Sequence, residues 1–130
     1  MASKPLIVTG NITGNTEGFT IGYRDVPQVS WSNATMALAD ASKHYYTSTG
    51  GVTLTVPSNA NVAFPIGATI AFYNRSSANC TIAPQASVNI FVVGNSTITP
   101  TANRTITSNG GGTLTKVDTN TWMLSAANVV

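Results

Sequence analysis

Val52-Thr53-Leu54-Thr55-Val56 runs apolar, polar, apolar, polar, apolar, and Pro57-Ser58-Asn59 stops it. A period of two puts Val52, Leu54 and Val56 on one face of a strand and the two threonines on the other. The pattern recurs downstream at intervals of about ten residues. Ala68 to Asn74 reads as a second strand, ended by Arg75-Ser76-Ser77. Cys80 to Ala83 reads as a third and Val88 to Val93 as a fourth, closed by Gly94-Asn95. Arg104 to Thr107 gives a short strand before Ser108-Asn109-Gly110-Gly111-Gly112, a segment that reads as a flexible turn. Thr113 to Val117 and Thr121 to Ser125 flank Asp118-Thr119-Asn120 as a hairpin. The one helical signal is a turn around Ala39 to Lys43, before Tyr45-Tyr46.

Composition agrees with this strand reading. The 130 residues include 20 Thr, 12 Val and 9 Ile, all β-branched, against 5 Leu and 1 Glu. Such a chain suits pleated, half-buried surfaces and supplies little for surface helices. The expected fold is all-β, an antiparallel β-sandwich or jelly-roll-like barrel over 34–130, preceded by an extended N-terminal arm over 1–33. Its candidate core anchors are Leu54, Val56, Phe64, Ile70, Phe72, Trp122 and Leu124. The length fits one domain.

Charge excludes several functions. Only 8% of residues are charged, against roughly 25% in ordinary soluble domains. The six bases are scattered singly, so no stripe exists to follow a nucleic-acid backbone. Apolar runs such as Asn89 to Val93 are far short of the roughly 20 residues that span a bilayer, and no apolar leader follows Met1. Neither nucleic acid nor membrane is an expected partner. Cys80 is alone, so an intrachain disulfide is impossible, in keeping with a reducing cytoplasm.

No residue pattern specifies catalysis. Glu17, Asp25, Asp40 and Asp118 are far apart, so the sequence proposes no carboxylate pair. His44 is the only histidine. A dyad with Cys80 is arithmetically possible, but a lone cysteine is commonly a small buried apolar residue. Asp40 and His44 lie four apart and read as a local structural contact. No zinc spacing, phosphate loop or dinucleotide fingerprint occurs. No enzyme activity, cofactor or metal is expected. Asn-X-Ser/Thr triplets fall at Asn11, Asn33, Asn74, Asn79, Asn95 and Asn103. With 13 Asn and so much Ser and Thr, about three would arise by chance, and all six are read as incidental. A carbohydrate-binding module would display several aromatics on one face, whereas a domain of this size needs most of its ten for the core.

From about Leu38 to Leu124 the chain resembles a domain recurrent in virion structural proteins of tailed bacteriophages. The residues that carry the resemblance are Leu38-Ala39-Asp40-Ala41-Ser42-Lys43, Val52 to Pro57, Phe64-Pro65-Ile66-Gly67-Ala68-Thr69-Ile70, and Leu114 to Leu124. In this reading Phe64-Pro65-x-Gly67 is a turn with Phe64 as a buried anchor, and Trp122 and Leu124 share one face with Met123 on the other. Such domains occur in tail fibres, collar proteins and small head decoration proteins, often as trimers. The chain departs from the fibre pattern in lacking a coiled-coil or repetitive shaft.

The resemblance therefore implies a capsid decoration or cement protein, made in the host bacterial cytoplasm. It would bind the major capsid protein of the assembled head as a homotrimer. A tail fibre or tail-tip subunit with a receptor- or glycan-binding β-domain is the alternative. Leu6, Ile7, Val8, Phe19, Ile21, Tyr23 and Trp31 are the expected arm contacts to the shell or a sister subunit, unless they complete this chain's own sheet.

Overall fold

The strands of the first two thirds alternate between two ladders, and that alternation builds the domain. The computed structural model describes residues 26–130. Its strands are β1 (Gln28–Ser30), β2 (Ala34–Thr35), β3 (His44–Thr47), β4 (Thr53–Val56), β5 (Thr69–Asn74), β6 (Cys80–Pro84), β7 (Asn89–Val92), β8 (Arg104–Asp118) and β9 (Thr121–Val129). β1, β3 and β5 lie side by side in parallel, and β2, β4 and β6 form a second parallel ladder. Parallel neighbours need a crossover between them. Here each ladder's strand is the crossover for the other, so short polar corners suffice and no helix is required.

Both ladders end on β8, which runs antiparallel to each. Its first part pairs with β6, through Cys80↔Ile106 and Ile82↔Arg104. Its later part pairs with β5, through Thr69↔Thr115 to Tyr73↔Gly111. β9 folds back on β8 as the expected hairpin, and β7 adds to β9 in parallel. The result is the expected all-β class, as one curled mixed sheet forming a half-barrel in the order β1-β3-β5-β8-β6-β4-β2, with β9 and β7 branching from β8. The expected antiparallel direction is found on every ladder of β8, and the remaining ladders are parallel.

Gly110-Gly111-Gly112, expected as a flexible turn, lies inside β8. This is where the strand changes partners, with a register shift between Ile106 and Gly111 and Asn109 in the left-handed region at φ 59°. The glycines are required by crowding. A Cβ on Gly112 would stand 2.1 Å from the Ser125 carbonyl oxygen, and one on Gly111 would stand 2.7 Å from that of Phe72. Strands on both sides press against β8 too closely for any side chain at these two positions.

The core fills the concave side of the curl. Leu54, Val56, Phe64, Ile70, Phe72, Trp122 and Leu124 are all buried, joined by Ile82, Ile90, Ile106 and Leu114. Phe64 meets Trp122 edge-on, with ring centroids 5.5 Å apart. Gly67, at φ 96°, lets the chain turn from Phe64 into β5, where Ala68 donates its N–H to the Pro65 carbonyl at 3.0 Å. Each fully buried aliphatic or aromatic side chain contributes about 1.5–3 kcal/mol.

Residue 33, where the arm is expected to end, lies between β1 and β2, which pair with β3 and β4. Trp31, expected as an arm contact, is instead buried in this chain's own core, edge-on to Phe72 at 5.8 Å. Its neighbours in β1 are held by the sheet, so the indole has nowhere to go but inward. Leu6, Ile7, Val8, Phe19, Ile21 and Tyr23 lie outside the described residues. The expected helical turn is a 3-10 turn at Leu38–Asp40. The Asp40 carboxylate accepts from the Ala37 N–H at 3.0 Å and from the Tyr45 hydroxyl, so its partner is Tyr45 and not the expected His44.

Candidate functional site

Alternation along each strand assigns one set of residues to the core and leaves the other on the convex side. Across β7, β9, β8 and β5, one outward row reads Phe91, Met123, Thr115, Thr69. The next, across β9, β8, β5, β3 and β1, reads Ser125, Thr113, Ala71, His44, Gln28. The third reads Ala127, Gly111, Tyr73, Tyr46, Ser30. None of these residues is acidic, lysine or arginine. The second ladder turns a threonine row outward as well, Thr53, Thr81, Thr105.

The two ends of the large face differ. At the β7 edge, Phe91 is 42% exposed and Val93 56%, and they border a depression of about 450 Å³ with Met123 and Gly94. At the far end Tyr73 is exposed, beside half-buried Tyr46. The Tyr73 ring packs edge-on to His44 at 5.7 Å, and His44 Nε2 lies 3.1 Å from Gln28 Nε2. Arg75, just past the end of β5, approaches the Tyr46 hydroxyl at 3.5 Å.

Two of the described bases are inside. Lys116, on the inner side of β8, donates from Nζ to Asn59 Oδ1 at 2.6 Å and to the Phe64 carbonyl at 2.7 Å. Burial holds its pKa below the usual lysine value. Arg104, near the other end of β8, donates to the Thr99 and Ile90 carbonyls, while its buried Nε finds no partner. Burial lowers its pKa too. Among the described residues both cations donate to neutral oxygens, so each ties down a loop and forms no ion pair. Tyr45, buried and beside the Asp40 carboxylate, has its phenol pushed well above the usual range by burial first and by Asp40 second.

The sequence matches no known family model and no curated protein.

Those geometric facts dispose of several candidates. His44 stands on the outer face and Cys80 is buried in the core on β6, so the two form no dyad. Among the described residues no three His, Cys, Asp or Glu side chains gather as a metal site, and no helix is long and apolar enough to cross a membrane. Asn74, one of the Asn-X-Ser/Thr positions, is buried and donates to the Ala78 and Ile106 carbonyls at 2.8 and 3.0 Å, which closes it to glycosylation.

The sequence singles out Trp31 as a contact residue and, although it sets Met123 opposite Trp122, marks none of Phe91, Val93, Tyr73 and Met123 as one. The signal was present in the alternation itself. Val88, Ile90 and Val92 take the inward parity, which leaves Phe91 and Val93 outward although both are apolar. A large apolar residue on the wet parity of a strand is the informative exception.

Proposed function

We propose that this chain is a virion structural protein of a tailed bacteriophage: a decoration or cement protein that binds the assembled head as a trimer through contacts with the major capsid protein. The observation that carries the reading is the outer sheet face, six strands wide without a charged side chain in its three rows. A face meant for permanent contact with water is normally strewn with Lys and Glu. A face free of charge can be dehydrated without stranding an ion, and its Thr, Ser and Gln side chains supply hydrogen bonds in exchange. The apolar end at Phe91, Val93 and Met123 supplies burial.

The mechanism is mechanical. A shell lattice offers symmetric sites where three subunits meet. A trimer engages three weak contacts at once, and effective concentration raises the avidity by roughly 10²–10⁴ over one contact. Binding only the assembled lattice, it stabilises that lattice by mass action. With so little charge, attachment depends weakly on salt. No enzymatic step, cofactor or metal is part of this reading, and the protein resides on the virion surface. The alternative, a tail fibre or tail-tip subunit, draws on the exposed tyrosines at the far end of the same face.

Light scattering of the full chain is expected to give a trimer mass, and the protein is expected to pellet with intact heads over a range of salt. Phe91→Lys is expected to keep the stability in urea within about 0.5 kcal/mol of the parent, because Phe91 stands on the outer face and outside the buried core, yet to remove the protein from the head pellet. A monomer that stays in the supernatant with every head preparation sinks the proposal.

A further inference from the structure

The tyrosine end of the outer face has the chemistry of a sugar site. Tyr46 and Tyr73 are direct neighbours on parallel strands and Gly111 follows on β8, so the three stand in one row about 4.8 Å apart. A Cβ on Gly111 would come within 2.8 Å of Tyr73 Cδ1, which means that the tyrosine ring reaches over the glycine along the sheet. His44 holds that ring from the side. Beside the two rings lies a depression of about 550 Å³, bordered by Arg75 and Asn109, within the size range of small-ligand sites.

On the other side of Tyr46 is a second depression of about 630 Å³, bordered by Gln28, Ser30 and Ser48. Tyr46 thus stands as a partition between an aromatic hollow and a hydroxyl-rich one.

We propose that this row binds an oligosaccharide carrying a carboxylate, with one sugar ring in each hollow. A pyranose has an apolar C–H face, which seeks the electron-rich face of an aromatic ring, and a rim of hydroxyls, which seek planar donors and acceptors. Tyr73 supplies the ring, and Asn109 and the serines supply the rim. The charge follows from Arg75. Its side chain reaches the Tyr46 hydroxyl at 3.5 Å, and among the described residues no carboxylate borders either hollow. A guanidinium so placed takes a carboxylate in a two-pronged grip. Nucleic acid would stack on the same rings, but it needs a track of basic side chains, and among the described residues Arg75 is the only lysine or arginine bordering either hollow. The row shares the outer face that the proposed function lays against a shell, but the two readings are tested apart: the sugar site stands or falls on Tyr73 and Arg75, the assembly on Phe91 and the trimer mass.

The test is a glycan array carrying uronic acid, sialic acid and neutral oligosaccharides, probed with the full chain and followed by calorimetry on the hits. Acidic glycans bind in preference to their neutral counterparts. Tyr73→Ala weakens binding by roughly tenfold or more, the loss of one ring contact from a weak complex. Arg75→Gln equalises acidic and neutral sugars while keeping residual affinity for both. Both side chains are exposed, so both variants keep the parental urea midpoint. The proposal is overturned by an array blank in all three classes, by binding that survives Tyr73→Ala undiminished, or by a proline-rich peptide occupying the row where no sugar does.

Discussion

The two faces of the large sheet invert the usual arrangement. The inner face buries Arg104 and Lys116, while the outer rows carry no charge at all. Each inner cation sits toward one end of β8 and is bound by the loop that folds over it: Asn59 and Phe64 for Lys116, Thr99 for Arg104. Charge is kept where its several donors can tie a loop of neutral carbonyls to the spine of the fold. It is absent from the three outer rows, the face on which the proposed partner would come down. A buried cation without a carboxylate is a poor source of stability, so the contrast concerns specificity of structure on one side and readiness for contact on the other.

The sharpest test of the contrast compares neighbours in sequence. Trp122 is 1% exposed and packs on Phe64, whereas Met123 faces out. Trp122→Ala is expected to cost about 3–5 kcal/mol by urea melting, from lost burial and the cavity left behind. Met123→Ala costs under about 1 kcal/mol in the isolated chain, since that side chain is partly exposed on the outer face and takes no part in the buried core. Equal costs would mean that the outer face is part of a core.

Gly112→Ala tests the spine directly. Its new methyl would stand 2.1 Å from the Ser125 carbonyl oxygen and 2.5 Å from the Ala126 Cα, both backbone atoms that can yield only by moving β9. The expected loss is on the order of 1–3 kcal/mol, the range for an overpacked site. A thermal melt unchanged from the parent would show that β8 and β9 tolerate separation at the bend.

Much of the fold was legible, for a physical reason. Alternation in 53–56, 69–74 and 89–92 identifies strands and their inner parity, because burial acts on every second side chain. Direction was less legible. Polar corners every ten residues look alike whether the chain doubles back or coils onward to another ladder, so parallel pairing left no mark in the pattern. The three glycines misled because a glycine run signals a loop when only local conformation is weighed. Here they answer to the approach of β5 and β9, residues distant in sequence. The outer face was legible only after parity was known, since Phe91 and Tyr73 look like any other aromatic until the register assigns them outward. Lys116 was the least legible, for nothing local says that a strand lysine faces in.

Lys116 also carries the finest prediction. Lys116→Met removes a buried cation and two short hydrogen bonds together. Those bonds, made to a charged group, are each worth about 1.5–3 kcal/mol, and the desolvation that opposes them is of similar size. The net change near neutral pH is therefore small, within about 1 kcal/mol. Its pH dependence has a definite sign. Burial lowers the folded-state pKa of Lys116, while the unfolded lysine titrates near ~10.4. Between those two values the unfolded chain holds more protons than the folded one, so the parent gains stability as pH rises through that window. Below the folded pKa the burial penalty is fully present and flat. Tyr45 works in the opposite direction above about pH 10, where the unfolded phenol loses its proton and the folded one keeps it. It does so in both proteins and cancels in their difference. The difference in urea midpoint between parent and Lys116→Met should thus shift in the parent's favour on raising the pH from neutral toward about 10. A difference that stays constant would mean that the Nζ is as well solvated in the fold as in the open chain, and the inner face would no longer differ from the outer in what it does to charge.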